Sequence, residues 1–160
     1  MPVLELTVNG RDHQVLVETT TTLLEVLRDK LMITSAKVGC NTGDCGTCSV
    51  ILDGKLVRSC ITNALTTQGK EVITVEGVAQ AGELHPLQKA FNEHYGAQCG
   101  FCTPGMILAA KALLDENPTP TRDEVKEALA GNLCRCTGYV KIVDSVLAAS
   151  EEMENKEVVR

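Results

Sequence analysis

"VGCNTGDCGTCSV", Val38 to Val50, sets Cys40, Cys45 and Cys48 among Gly39, Gly43 and Gly46. With Cys60 beyond them the spacing is C-x4-C-x2-C-x11-C. The first three match the plant-type [2Fe–2S] loop, which takes a distant fourth ligand. Such a loop wraps a small anionic cluster and presents thiolates from several directions. Glycines suit it because they accept positive φ and let the backbone come close, so that N–H groups point at the sulfurs. Zinc knuckles use well-separated cysteine pairs, and three cysteines in one Gly-rich loop suit zinc poorly.

Four more cysteines follow. Cys99 and Cys102 are C-x2-C, and Cys134 and Cys136 are C-x-C. By spacing this second set fits zinc or iron–sulfur. Cys102 precedes an expected helix start, where free N–H groups favour negative charge. In an extended stretch Cys134 and Cys136 would point the same way and meet one iron.

Bulk properties narrow the classes. The chain has 160 residues, 44% of them hydrophobic, and a net charge of -6. Nucleic acid is an unsuitable partner without a basic face. No apolar run reaches the ~20 residues of a membrane span. "MPVLELTVNG" lacks the basic and apolar regions of an export signal, which predicts the cytoplasm. There, eight cysteines point to metal rather than disulfides.

The patterning predicts a mixed first half and a helical second half. Val3–Val8 alternates, with Leu4, Leu6 and Val8 on one face, and Asn9-Gly10 turns it back into His13–Val17. Ser49–Leu52 and Lys55–Arg58 flank Asp53-Gly54 as a second hairpin, and Glu71–Val75 is a further strand. Between the hairpins, Thr22 and Glu25 form a capping box before Leu23, Leu24, Leu27 and Leu31. Gly77 to Glu83 reads as a linker. Helices are then expected from Pro86 to near Gly96, after an N-cap at Thr103, after a Thr121/Glu124 capping box, and around Ile142, Val143, Val146 and Leu147. Phe91 and Tyr95 are expected in the core. His13, His85 and His94 read as surface or capping residues, Arg135 as an interface residue, and the tail "EEMENKEVVR" as frayed or partner-bound.

"QCGFCTPGM" (Gln98–Met106) and "GNLCRCTGY" (Gly131–Tyr139), together with the eight cysteines, closely resemble the small iron–sulfur subunit of the molybdenum hydroxylases, the xanthine dehydrogenase/aldehyde oxidase family. The resemblance runs from about Val3 to Ala149. It implies an α+β fold: a β-grasp, plant-type ferredoxin-like domain over 1–78 and an all-α four-helix-bundle domain over 79–160. It implies two [2Fe–2S] clusters, one on Cys40, Cys45, Cys48 and Cys60 and one on Cys99, Cys102, Cys134 and Cys136. It implies a large partner subunit carrying molybdopterin and usually a medium subunit carrying FAD, with electrons passing between them through the clusters and no substrate site on this chain. The second cluster, with Gln98 and Cys136, would lie near molybdopterin, and the first nearer FAD. Asp44 and Thr47 stand where this loop often has Glu and Ala. A free-standing two-cluster ferredoxin and a zinc-stabilised interaction module are the alternative readings of the cysteine sets.

Overall fold

The computed structural model describes residues 1–158; Val159 and Arg160, the end of the tail considered above, lie outside the described residues. Strand β1 (Val3–Val8) buries Leu4, Leu6 and Val8 and pairs antiparallel with β2 (Arg11–Leu16). Asn9 at φ 51° and Gly10 at φ 77° supply the two left-handed residues of a tight hairpin turn. Strands β3 (Ser49–Leu52) and β4 (Lys55–Arg58) repeat the device, with Asp53 at 46° and Gly54 at 80°. Strand β5 (Glu71–Ile73) inserts between the hairpins, parallel to β1 and antiparallel to β3, so the mixed sheet has the order β2-β1-β5-β3-β4. It stops short of Val75 because Val75–Gly77 tightens into a 3₁₀ turn. The Asn9 side chain holds that exit: it accepts from Thr74 N at 2.9 Å and donates to Thr74 Oγ1 at 2.8 Å.

Helix α1 (Leu23–Glu25) starts on the expected capping box, Thr22 Oγ1 accepting from Glu25 N and the Glu25 carboxylate from Thr22 N. It then widens into a π turn over Val26–Lys30, closed by Leu31 N donating to Val26 O. The extra residue in the turn rotates the buried stripe. Val26 becomes fully buried beside Leu23, Leu24 and Leu27, while the expected Leu31 is only partly covered. These side chains pack against Leu4, Leu6, Val8, Val50 and Val72 of the sheet.

The second half contains α2 (Pro86–Glu93), α3 (Thr103–Glu116), α4 (Arg122–Leu129) and α5 (Val140–Val158). His85 caps α2: its Nδ1 accepts from Leu87 N at 3.1 Å, and Gln88 reaches back to His85 N. That cap needs an unprotonated Nδ1, and burial, followed by the nearby Lys111, lowers the pKa of His85. Thr121 and Glu124 cap α4 as expected. Two expectations fail. The N-cap of α3 is Cys102 and not Thr103, so a thiol occupies the helix mouth. Tyr95 is 75% exposed while Phe91 is buried, because α2 ends at Glu93 and the chain turns left-handed at Tyr95 (φ 59°). Helix α5 runs on into the tail, from Glu151 through Val158.

Leu87, Phe91, Met106, Leu114, Leu129, Ile142 and Val146 form the core of this half. Helix α3 is buried on successive residues from Met106 to Ala110, as a helix covered all round must be. One side faces the other helices. The other presents Leu108 to Ile51 and Val78, a seam between sheet and helices. Each such aliphatic contributes about 1.5–3 kcal/mol through burial. Among the described residues no helix is long and apolar enough to cross a membrane.

Candidate metal centres

All eight cysteines are free. Their surroundings sort them into two sets. In the first, Cys40 Sγ accepts from the backbone N–H of Thr42 (3.4 Å), Asp44 (3.3 Å) and Cys45 (3.3 Å), and Cys45 Sγ accepts from Cys40 N (3.4 Å). Cys48 and Cys60, both buried, lie against each other. Gly43 and Gly46 have φ of 87° and 75°, as the loop requires. Gly39 serves differently. It lacks a positive φ, but a Cβ there would come 2.7 Å from Cys45 Sγ, so its role is close approach.

The electrostatics differ across the set. The Thr42 hydroxyl and then the loop N–H groups pull Cys40 down to about 6. Burial, and next the neighbouring Cys48, pushes Cys60 up to about 11. Buried thiols packed together become thiolates only with a cation between them, since a coordinated thiol is deprotonated outright.

The second set joins the loop entering α3 to the loop between α4 and α5. Cys134 lies beside Cys102, and Cys136 beside Cys99. The expected extended C-x-C is not found: the chain bends from Arg135 to Thr137, with Cys134 against Cys102, Cys136 against Cys99, and Cys134 still close enough to act on Cys136. Burial, then Cys134 and Cys99, pushes Cys102 up to about 12. Burial also opposes ionisation of Cys134, but the Thr137 hydroxyl, 3.2 Å from its sulfur, and nearby N–H groups outweigh it and lower its pKa. Cys99 raises that of Cys136. Tyr139 Oη accepts from Cys134 N at 3.0 Å and braces this loop.

The donor sets fit [2Fe–2S] clusters. Each gathers four thiols as two neighbouring pairs, matching two irons with two thiolates each. The first adds a cradle of N–H groups. Beside the second, the buried Thr103 Oγ1 has no hydrogen-bond partner among the described residues. Among those residues no three His, Cys, Asp or Glu side chains converge on a point that would hold one metal ion, and a two-iron cluster needs a wider cage than that. The sets also differ in exposure: Cys48 and Cys60 are buried, whereas Cys99 and Cys136 are open to solvent beside Gln98. Phe101 and Leu133, each next to a cysteine of the second set, are about half exposed, and Arg135 is exposed.

The two loops touch. Leu133 N, one residue before Cys134, donates to Cys45 O at 2.9 Å. Thr47 Oγ1, one residue before Cys48, donates to Phe101 O at 3.2 Å. Asn132 Nδ2 donates to Gly46 O at 2.9 Å, and Arg58 Nη2 to Gly131 O at 2.7 Å. Local patterning carried no sign of Arg58, Asn132, Thr137 or Tyr139 in these roles. Asn132 and Tyr139 stand inside the motif "GNLCRCTGY", but their partners lie elsewhere.

Two family models cover most of the chain. Residues 6–75 match a 2Fe-2S iron-sulfur cluster binding domain, and residues 74–147 match a [2Fe-2S] binding domain. The chain is 48% identical to the nicotine 6-hydroxylase small subunit of Paenarthrobacter nicotinovorans, covering 96% of this chain and 92% of that one. It is 49% identical to the aldehyde oxidoreductase of Megalodesulfovibrio gigas, covering 94% of this chain but only 17% of that longer protein. Quinoline 2-oxidoreductase from Pseudomonas putida 86 contains a chain that superposes with a TM-score of 0.92 at 42% identity, covering 98% of both. One [2Fe–2S] domain after the other gives two clusters per chain, and the whole-length match to a hydroxylase small subunit carries this arrangement as a unit. The chain belongs to the small iron–sulfur subunits of the molybdenum hydroxylase family, which includes xanthine dehydrogenase and the aldehyde oxidoreductases.

Proposed function

We propose that this chain relays electrons between a molybdopterin cofactor on a large partner subunit and FAD on a medium subunit, or another acceptor. Cys40, Cys45, Cys48 and Cys60 hold the first [2Fe–2S] cluster in a β-grasp domain over 1–78. Cys99, Cys102, Cys134 and Cys136 hold the second in a four-helix-bundle domain over 79–160. The protein works in the cytoplasm, where free thiols persist. The observation that carries the reading is the hydrogen bond from Leu133 N to Cys45 O, which joins one thiol loop to the other without intervening side chains.

When bound, each cluster supplies a one-electron carrier. The protein supplies the rest. The Cys40 loop offers N–H donors to sulfur, which favour the more negative state. Burial of Cys48 and Cys60 keeps water from that side. On the second set, Thr137 and Tyr139 orient Cys134. The open edge formed by Gln98, Cys99 and Cys136 is the side offered to molybdopterin, with Phe101 and Leu133 as apolar contacts around it. The 17% coverage of the longer aldehyde oxidoreductase supports a large partner, since that protein joins a region like this one to much additional chain.

The Gln98 amide offers a donor and an acceptor to a pterin heterocycle while ligating no iron. Gln98→Ala is expected to keep both clusters but slow their reduction in the assembled enzyme or loosen the complex. The cost is on the order of 1–3 kcal/mol for groups left unpaired. Rapid mixing with substrate reads the first effect, and co-purification reads the second. Unchanged kinetics and assembly would reject the role of Gln98. A chain that purifies from its native source without a larger partner would reject the subunit reading.

A further inference from the structure

The seam between the two halves has an apolar part and a polar part with different physical consequences. Ile51, Val78 and Leu108 bind the halves through hydrophobic contact, which is non-directional and tolerates sliding. The polar part does not tolerate it, because a buried donor or acceptor that loses its partner there finds no water to replace it. At its centre is Asn132, 2% exposed. Its Nδ2 donates to Gly46 O at 2.9 Å and to Ser49 Oγ at 3.3 Å, and its Oδ1 accepts from Arg58 Nη2 at 3.4 Å. Arg58 spans the same gap, donating to Ser49 Oγ at 2.8 Å and Gly131 O at 2.7 Å. Glycines make the approach possible. A Cβ on Gly105 would lie 2.6 Å from Gly46 O, and one on Gly46 would strike Gly131 O and Asn132.

The position of this amide gives it a role beyond stability. Gly46 lies between Cys45 and Cys48, and Asn132 lies two residues before Cys134. One buried side chain therefore ties the backbone of the first thiol loop to the backbone of the second. We propose that Asn132, braced by Arg58, is a positioning residue that sets the separation and orientation of the two clusters. This inference rests on the relay reading, because it presumes a cluster on each set. Asn132 ligates no iron; it acts through the Gly46 peptide.

The isosteric Asn132→Asp variant isolates the donor. It keeps the oxygen facing Arg58 but replaces the Gly46-facing N–H with a second acceptor, so two oxygens repel where a hydrogen bond was. Arg58→Lys keeps the charge but loses the planar fork that reaches Ser49 and Gly131 together. The test is low-temperature electron paramagnetic resonance on the fully reduced, cluster-loaded full chain, with iron counted in the same sample. Two reduced-cluster signals split by each other are expected in the wild-type chain. With both signals and the full iron retained, the mutual splitting should narrow in Arg58→Lys and narrow further in Asn132→Asp. Unchanged splitting in both variants would overturn the proposal while leaving the relay intact, as would two signals without splitting in the wild-type chain. If Asn132→Asp fails to load, Arg58→Lys decides alone by the same criterion. A single cluster signal in the wild-type chain overturns the relay reading and this proposal together.

Discussion

Cys60→Ser is expected to strip the first cluster and halve the iron content of the chain while the second cluster's signal persists. Cys60 is 7% exposed and packs against Cys48, so a hard alkoxide oxygen would replace a buried sulfur where the site has no other soft donor to offer. The second set is framed by different elements. Cys99 and Cys102 precede α3, Cys134 and Cys136 lie between α4 and α5, and the helical core supports both loops. Cys60 separates the sets more cleanly than Cys45, whose carbonyl accepts from Leu133 beside Cys134. Iron analysis and low-temperature spectroscopy of the reduced variant check this. Loss of both signals in a folded Cys60→Ser chain would contradict two separately framed sites.

Gly46→Ala should be among the most damaging single-methyl changes in the chain. At φ 75° an alanine pays the left-handed penalty, about 1–2 kcal/mol. Its Cβ would also run into the Gly131 carbonyl and the Asn132 backbone, neither of which can rotate away, adding roughly 1–3 kcal/mol of overpacking. Gly82→Ala is the control: its φ is 81°, but a Cβ there meets nothing within 4 Å. Thermal unfolding of the two variants separates strain from collision. The Gly46 variant should melt several degrees below the Gly82 variant. Equal midpoints would mean that the loops do not press together as described.

Much of the architecture was readable because its causes are local. The first strand and both strands of the second hairpin fall where alternation and the Asn9-Gly10 and Asp53-Gly54 pairs put them. The Thr22/Glu25 and Thr121/Glu124 boxes form because both partners lie within one turn. The failures have causes that a local pattern does not carry. The π turn after Glu25 trades regular hydrogen bonding for burial of Val26, a decision made by the sheet beneath it. Tyr95 leaves the core because the left-handed turn falls on Tyr95 itself, one residue before the Gly96 that marks the expected stop. The stretch from Cys134 to Cys136 bends instead of extending, with each thiol set against a cysteine more than thirty residues upstream, a contact that spacing alone does not carry. Asn132 carries no local signal, because its partner Gly46 lies 86 positions away in the chain.

The central claim is that the two thiol sets hold two [2Fe–2S] clusters. Parallel determination of iron, acid-labile sulfide and zinc on the purified chain tests it most directly. The account predicts two irons and two sulfides for each of the two matched domains, with no zinc. A chain containing zinc in place of iron, or iron enough for one domain only, would contradict it.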